Sequence, residues 1–176
     1  WRDRHAHPAP DPGRHALESC LAELERGTTA IAFPSGVAAC AGVLSALSPG
    51  DQVLAPLDVY HGNRLLFNER LAPWGLGIEY VDFTDLAAVR AALTPATPLL
   101  WAETPSNPLL QISDIAALAE LAHGAGARLA VDNTFATPIL QNPLVLGADF
   151  AVHSSSKYFG GHSDVLGGAL VFARND

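Results

Sequence analysis

Lys157 is the only lysine in the sequence, and it lies in the stretch Ala151 to Gly161, AVHSSSKYFGG, behind three consecutive serines. A lysine amine can lose its proton and condense with a carbonyl, which an arginine guanidinium, protonated at any working pH, cannot do. All the other strong cations in the chain are arginines, so the one amine stands out as a candidate for covalent chemistry. The plain alternative is a solvated lysine in a serine-rich turn.

Four further stretches carry groups of the same kind. Pro34-Ser35-Gly36-Val37 reads as a tight turn into a helix, whose first backbone amides, at Gly36 and Val37, either suit an anion or simply follow an N-cap. Tyr60, in Asp58 to Gly62, either stacks on a flat ligand or packs. Asn107 lies in the loop Glu103 to Pro108, where two prolines hold it rigidly. Asp132, followed by Asn133 and Thr134, closes a buried apolar run; a carboxylate there is either a helix-terminus partner or the counter-charge of a cationic ligand. Ser154 and Ser156 flank the amine with hydroxyls that suit a phosphate. In an open parallel sheet the ligand binds beyond the carboxyl ends of the strands, so all five groups would share one rim. Together they supply what pyridoxal 5'-phosphate requires: an amine for a Schiff base, an acid for the pyridine nitrogen, an aromatic for the ring face and donors for the phosphate.

The elements that would position these groups alternate along the chain. Apolar or β-branched runs at 29–33, 52–55, 78–81, 98–102, 128–131, 149–152 and 169–173 read as strands. Helical patterns at 36–47, 62–71, 85–93 and 114–123 separate most of them, with Thr84 and Ser113 at the expected N-caps. Before the first strand, Leu17, Cys20, Leu21 and Leu24 recur at helical spacing over 14–26, and Gly27 is expected to end that helix. A short helix is expected within 134–148. The pattern predicts an α/β fold: a mostly parallel seven-stranded sheet with helices on both faces. Residues 1–13, rich in Pro, His and Arg, read as an arm or linker, and 14–176 as one domain.

Composition narrows the function. The chain has 176 residues, 49% of them hydrophobic, enough for the core of a soluble domain. A net charge of −8 with scattered arginines gives no basic stripe, against nucleic acid or an anionic membrane as partner. No apolar run is long enough to span a bilayer. Cys20 and Cys40 have no metal spacing and are expected to be small buried hydrophobes in a reducing, cytoplasmic compartment. The sequence contains no methionine, from which a longer parent chain is expected.

Five segments then carry a resemblance: LESCLAELERGTTAIAFPSGVAA, DVYHGNRLLF, WAETPSNPLLQISDI, VDNTFATPILQNPLVLGAD and VHSSSKYFGGHSDVLGG. In this order they resemble segments of the cystathionine γ-synthase-like enzymes of cysteine and methionine metabolism, which are fold-type I pyridoxal-phosphate enzymes. The resemblance implies that Lys157 is the Schiff-base lysine, Asp132 the partner of the pyridinium nitrogen and Tyr60 the residue stacked on the ring. It implies that Gly36 and Val37, with Ser154 and Ser156, hold the phosphate. Asn107 would sit near the phenolic oxygen and the substrate carboxylate, and Thr134 beside the ring. It further implies an amino-acid substrate and a homodimer or homotetramer.

The chain also departs from the family pattern. Asp11-Pro12-Gly13 stands where Asn-Pro-Thr is common, with Ala6 and Pro8 in place of the Tyr and Arg that reach a neighbouring subunit's phosphate. The loop YHGNRLLF differs from the pattern YGGTxRxF. The family's smaller carboxy-terminal domain, with the arginine that grips the substrate carboxylate, is expected to be missing. The resulting expectation is a carbon-sulfur lyase acting by β- or γ-elimination. The alternatives are a γ-replacement enzyme of the cystathionine γ-synthase or O-acylhomoserine sulfhydrylase type, and a cysteine lyase domain of a biosynthetic assembly line. A non-catalytic nucleotide- or cofactor-binding domain is the alternative from another class; it lacks a Gly-x-Gly-x-x-Gly turn, since FPSGVAA stands there.

Overall fold

The computed structural model describes residues 11–173, so most of the expected arm over 1–13 lies outside the described residues. Helix α1, Pro12–Leu24, begins at Pro12 rather than Arg14 because Asp11 caps it, its carboxylate accepting the Gly13 N–H at 2.9 Å. Its apolar stripe is only partly used. Leu21 and Ala22 are buried against the sheet, whereas Leu17, Leu24 and Cys20 are exposed, which corrects the expectation of a buried Cys20. The turn after α1 places Arg26 at a left-handed φ of 57°. Gly27 serves close packing instead, since a Cβ there would lie 2.5 Å from Val171 Cγ1 and 2.7 Å from the Phe172 carbonyl oxygen.

Seven strands follow: β1 Thr29–Phe33, β2 Gln52–Pro56, β3 Gly77–Val81, β4 Leu99–Glu103, β5 Arg128–Asp132, β6 Phe150–His153 and β7 Gly168–Phe172. They form one sheet in the order β1-β7-β6-β5-β4-β2-β3. The central pairs β2–β3, β2–β4, β4–β5 and β5–β6 are parallel, and β7 alone runs against its neighbours β1 and β6. The expected mostly parallel seven-stranded sheet is therefore present.

Alternation along the strands feeds two cores. Leu99 and Trp101 of β4 join Ala39, Cys40, Val43 and Leu44 of α2 (Gly36–Leu44) on one face. Leu100 and Ala102 join Val89 of α5 (Leu86–Ala92) and Leu118 of α6 (Ile115–Gly124) on the other. Each fully buried leucine or valine among them contributes about 1.5–3 kcal/mol. Asp85 and Asp114, not Thr84 and Ser113, cap α5 and α6. Asp85 accepts the N–H groups of Ala87 and Ala88, and Asp114 that of Ala117. The helix expected over 62–71 is divided: α3 (His61–Leu66) passes into a π-helical segment, Phe67–Leu71, and then α4, Ala72–Trp74. Phe67 lies there fully buried, edge-on to Trp101 at 5.9 Å between ring centroids. The short helix α7 is Thr137–Leu140. Among the described residues no helix is long and apolar enough to cross a membrane.

Candidate active site

The carboxyl ends of the parallel strands open into a cavity of about 240 Å³. Gly36 and Val37 line it from α2, Tyr60 from the loop after β2 and Asn107 from the loop after β4. Asp132 and Thr134 line it from β5 and its exit, and Ser154, Ser156 and Lys157 from the turn after β6. All nine residues expected from the sequence thus meet in one place.

One end of the cavity is built for an anion. The Ser35 hydroxyl caps α2 by accepting the Ala38 N–H at 3.1 Å, and helix geometry gives the amides of Gly36 and Val37 no carbonyl within the helix. Gly36 sits so close to the exit of β6 that a Cβ would lie 2.7 Å from Ser154 Cβ and 2.9 Å from its Cα. The helix terminus and the serine turn therefore converge only because that residue has no side chain. Ser156 is already engaged, its hydroxyl donating to the Gly167 carbonyl at 3.2 Å and accepting the Gly167 N–H at 3.0 Å. Lys157 is exposed at the cavity wall, and its backbone is held by bonds to the Ser154 carbonyl and from the Gly161 N–H.

The other end gathers acids. Glu103 and Asp132 end adjacent strands and are direct partners in the β4–β5 register. Burial pushes Glu103 up to about 8, helped by the charge of Asp132 and resisted by N–H groups from Tyr60 and Asn107. Burial raises Asp132 as well, against two hydrogen bonds from Thr134, at 2.6 Å from its hydroxyl and 3.1 Å from its N–H, and against the charge of His153. The Thr134 hydroxyl also accepts the Ser154 N–H at 2.8 Å, so one side chain ties the acid to the serine turn. Beneath them, on the α1 side, Glu25 accepts from Asn133 at 2.7 Å and meets His153 Nε2 at 2.5 Å, all three fully enclosed.

Asn63 and Cys40 complete the cavity floor. Asn63 is 1% exposed, and neither of its amide atoms has a hydrogen-bond partner of normal geometry, although it lies close enough to Asp132 to favour its charged form. Burial, with the nearby Asp132 and Glu103, pushes the Cys40 thiol well up. Tyr60 stands at the mouth, 41% exposed, its ring folded over Gly62, where a Cβ would lie 2.5 Å from Tyr60 Cε1. The Asn107 loop contains two cis peptides, Thr104–Pro105 and Asn107–Pro108. Glu103, Asn63 and Cys40 were not among the expected site residues. Only Glu103 carries a sequence signal, a carboxylate directly after the apolar run Leu99 to Ala102.

The donor set fits pyridoxal 5'-phosphate. A helix terminus and serines suit the phosphate, raised acids and an unpaired buried amide suit a protonated ring, and a single amine lies between. A seven-stranded α/β sheet with this cavity defines a pyridoxal-phosphate enzyme of fold type I. The chain belongs to the family described as Cys/Met metabolism PLP-dependent enzymes, whose model matches residues 9–176. It is 53% identical over 162 residues to the cystathionine gamma-synthase of Mycobacterium tuberculosis, covering 92% of this chain and 42% of that protein. It is 49% identical over 166 residues to the cystathionine beta-lyase of Coxiella burnetii, covering 94% and 43%. The crystal structure of cystathionine gamma-lyase from Lactobacillus plantarum, complexed with L-serine, superposes with a TM-score of 0.93 at 44% identity, covering 99% of this chain and 48% of that one. The chain thus spans less than half the length of these three relatives.

Proposed function

We propose that this chain is the cofactor-binding part of an enzyme that breaks a carbon-sulfur bond of a sulfur-containing amino acid. The observation that carries the reading is the convergence of Lys157, Asp132, Tyr60 and the α2 terminus on one cavity. The bound cofactor supplies an electrophilic carbonyl and an electron sink. Lys157 Nζ is the amine that would hold it, and the same amine would serve as general base toward the substrate α-carbon. Asp132, held by Thr134, keeps the ring nitrogen protonated, which its own buried position favours once a cation is beside it. Gly36 and Val37 donate backbone N–H groups to the phosphate, and Ser154 and Ser156 flank it. Asn107 faces the substrate carboxylate, and the Tyr60 hydroxyl donates a proton to the departing sulfur.

The similarity to a cystathionine gamma-synthase favours a second reading, replacement at the γ-carbon by a thiol nucleophile. Two free cysteines support a cytoplasmic location, and the exposed Ile139 and Leu140, with Leu166 at the cavity, support assembly as a homodimer or homotetramer. Incubating the cofactor-loaded protein with cystine, cystathionine and O-acylated homoserine separates these readings. Keto acid formed without added thiol supports elimination, and thioether formed only with added thiol supports replacement. Neither product with any of the three substrates contradicts the proposal.

A further inference from the structure

Glu103 has no counterpart among the residues assigned above, yet it lies at the centre of the cavity's framework. It is 6% exposed, and each of its carboxylate oxygens has a different task. Oε2 accepts the Tyr60 N–H at 2.9 Å, and Oε1 accepts the Asn107 N–H at 2.9 Å. These donors belong to two loops that both line the cavity, one after β2 and one after β4. The same loops are joined once more, where the Ser106 hydroxyl donates to the Asp58 carboxylate while accepting the Gln111 N–H at 3.0 Å.

The tie through Glu103 comes at an electrostatic cost. A second buried acid next to Asp132 is repelled by it and desolvated, and a neutral side chain would escape both penalties. Glutamine, the nearest neutral shape, would set its amide nitrogen, a donor, against one of the two N–H groups. A carboxylate presents an acceptor oxygen to each. We propose that Glu103 is a positioning residue that sets the spacing between Tyr60 and Asn107 by accepting one backbone N–H from each, so that a flat ligand fits between them. This deepens the proposed function and rests on it.

The ligand feeds back on this clasp. A protonated ring beside Asp132 offsets the repulsion between the two acids, favours ionised Glu103 and strengthens both of its hydrogen bonds. The titratable groups facing Glu103 are Asp132 from β5, Asp58 from the loop after β2 and Cys40 from α2. Tyr60 and Lys157 line the same cavity.

Pyridoxamine 5'-phosphate tests the role apart from covalent chemistry, because it has no carbonyl for Lys157 to attack. Its dissociation constant is measured on the purified protein across pH, for the wild type, Glu103→Gln and Ser106→Ala. Glu103→Gln is expected to weaken binding about tenfold and to remove the step in the pH profile near the Glu103 titration. Ser106→Ala is expected to weaken binding about threefold at most and to keep that step. If Glu103→Gln does not fold, Glu103→Asp replaces it; aspartate keeps the charge but is too short to reach both N–H groups, so affinity falls while the step remains. Variants that match the wild type in affinity and pH profile overturn the role of Glu103. A wild type that binds neither pyridoxamine nor pyridoxal 5'-phosphate overturns the cofactor reading itself, so the two failures are distinct.

Discussion

The two rims of the sheet treat buried acids in opposite ways. At the amino end of β6, Asp149 is 8% exposed and fully provided for. Its carboxylate accepts the Leu129 N–H at 2.9 Å, pairs with Arg128 at 2.8 Å and meets His123 at 2.9 Å. Burial alone would raise it, but these partners hold it below its ordinary value. At the carboxyl ends of β4 and β5, Glu103 and Asp132 face each other and are both raised, with an unpaired amide at Asn63 alongside. One rim completes its own electrostatics within the fold. The other leaves two raised acids and an unpaired amide, an arrangement that suits the proposed binding of a cationic, polar ligand better than a structural ion pair.

Substitutions that exchange the two kinds of acid sharpen this contrast. Asp132→Asn is expected to lower turnover by about a thousandfold while leaving the melting temperature nearly unchanged, as steady-state kinetics beside calorimetry would show. Asp149→Asn should do the reverse, costing about 1–3 kcal/mol of stability in denaturant unfolding with turnover retained. Equal effects of the two substitutions on activity would break the comparison.

The rims also predict opposite pH dependence. Asp149 is lowered, so its contribution is present above pH about 4 and is lost as pH falls. Glu103 is raised, so in the unliganded protein its own contribution is fully present below pH about 4 and is lost as pH rises through its value of about 8. The melting temperature of the unliganded protein is therefore expected to fall between pH about 5 and 8.5, and Glu103→Gln to flatten that fall. A profile unchanged by Glu103→Gln would place the titration elsewhere. The smallest effect is expected at the anion end. Gly36→Ala, whose Cβ would press on Ser154, should weaken inorganic phosphate binding about fivefold in calorimetric titration.

Much of this arrangement was legible in the sequence, because a parallel sheet buried on both faces makes near-continuous apolar runs whose ends are marked by the first polar residues. Asp132, Ser154 and Lys157 were readable in that way. The role of Glu103 was not, since its partners are backbone N–H groups whose positions depend on how two distant loops close. Asn63 reads as an ordinary polar residue at a helix start, and only the folded chain shows it to be buried in the cavity lining. The N-caps were misplaced by one residue because Thr84-Asp85 and Ser113-Asp114 each offer two capping side chains. Periodicity showed that α1 has an apolar stripe, but not that the sheet would cover only Leu21 and Ala22.

The central claim, that the carboxyl-end rim holds a pyridoxal-phosphate cofactor on Lys157, is tested most directly by covalent trapping. The purified protein is incubated with pyridoxal 5'-phosphate, reduced with borohydride, digested and the labelled peptide sequenced, with Lys157→Arg as control. The expected result is loss of the visible absorption on reduction and a single label on Lys157, absent from the variant. Label on the α-amino group with Lys157 left unmodified, or equal labelling of Lys157→Arg, would contradict the account.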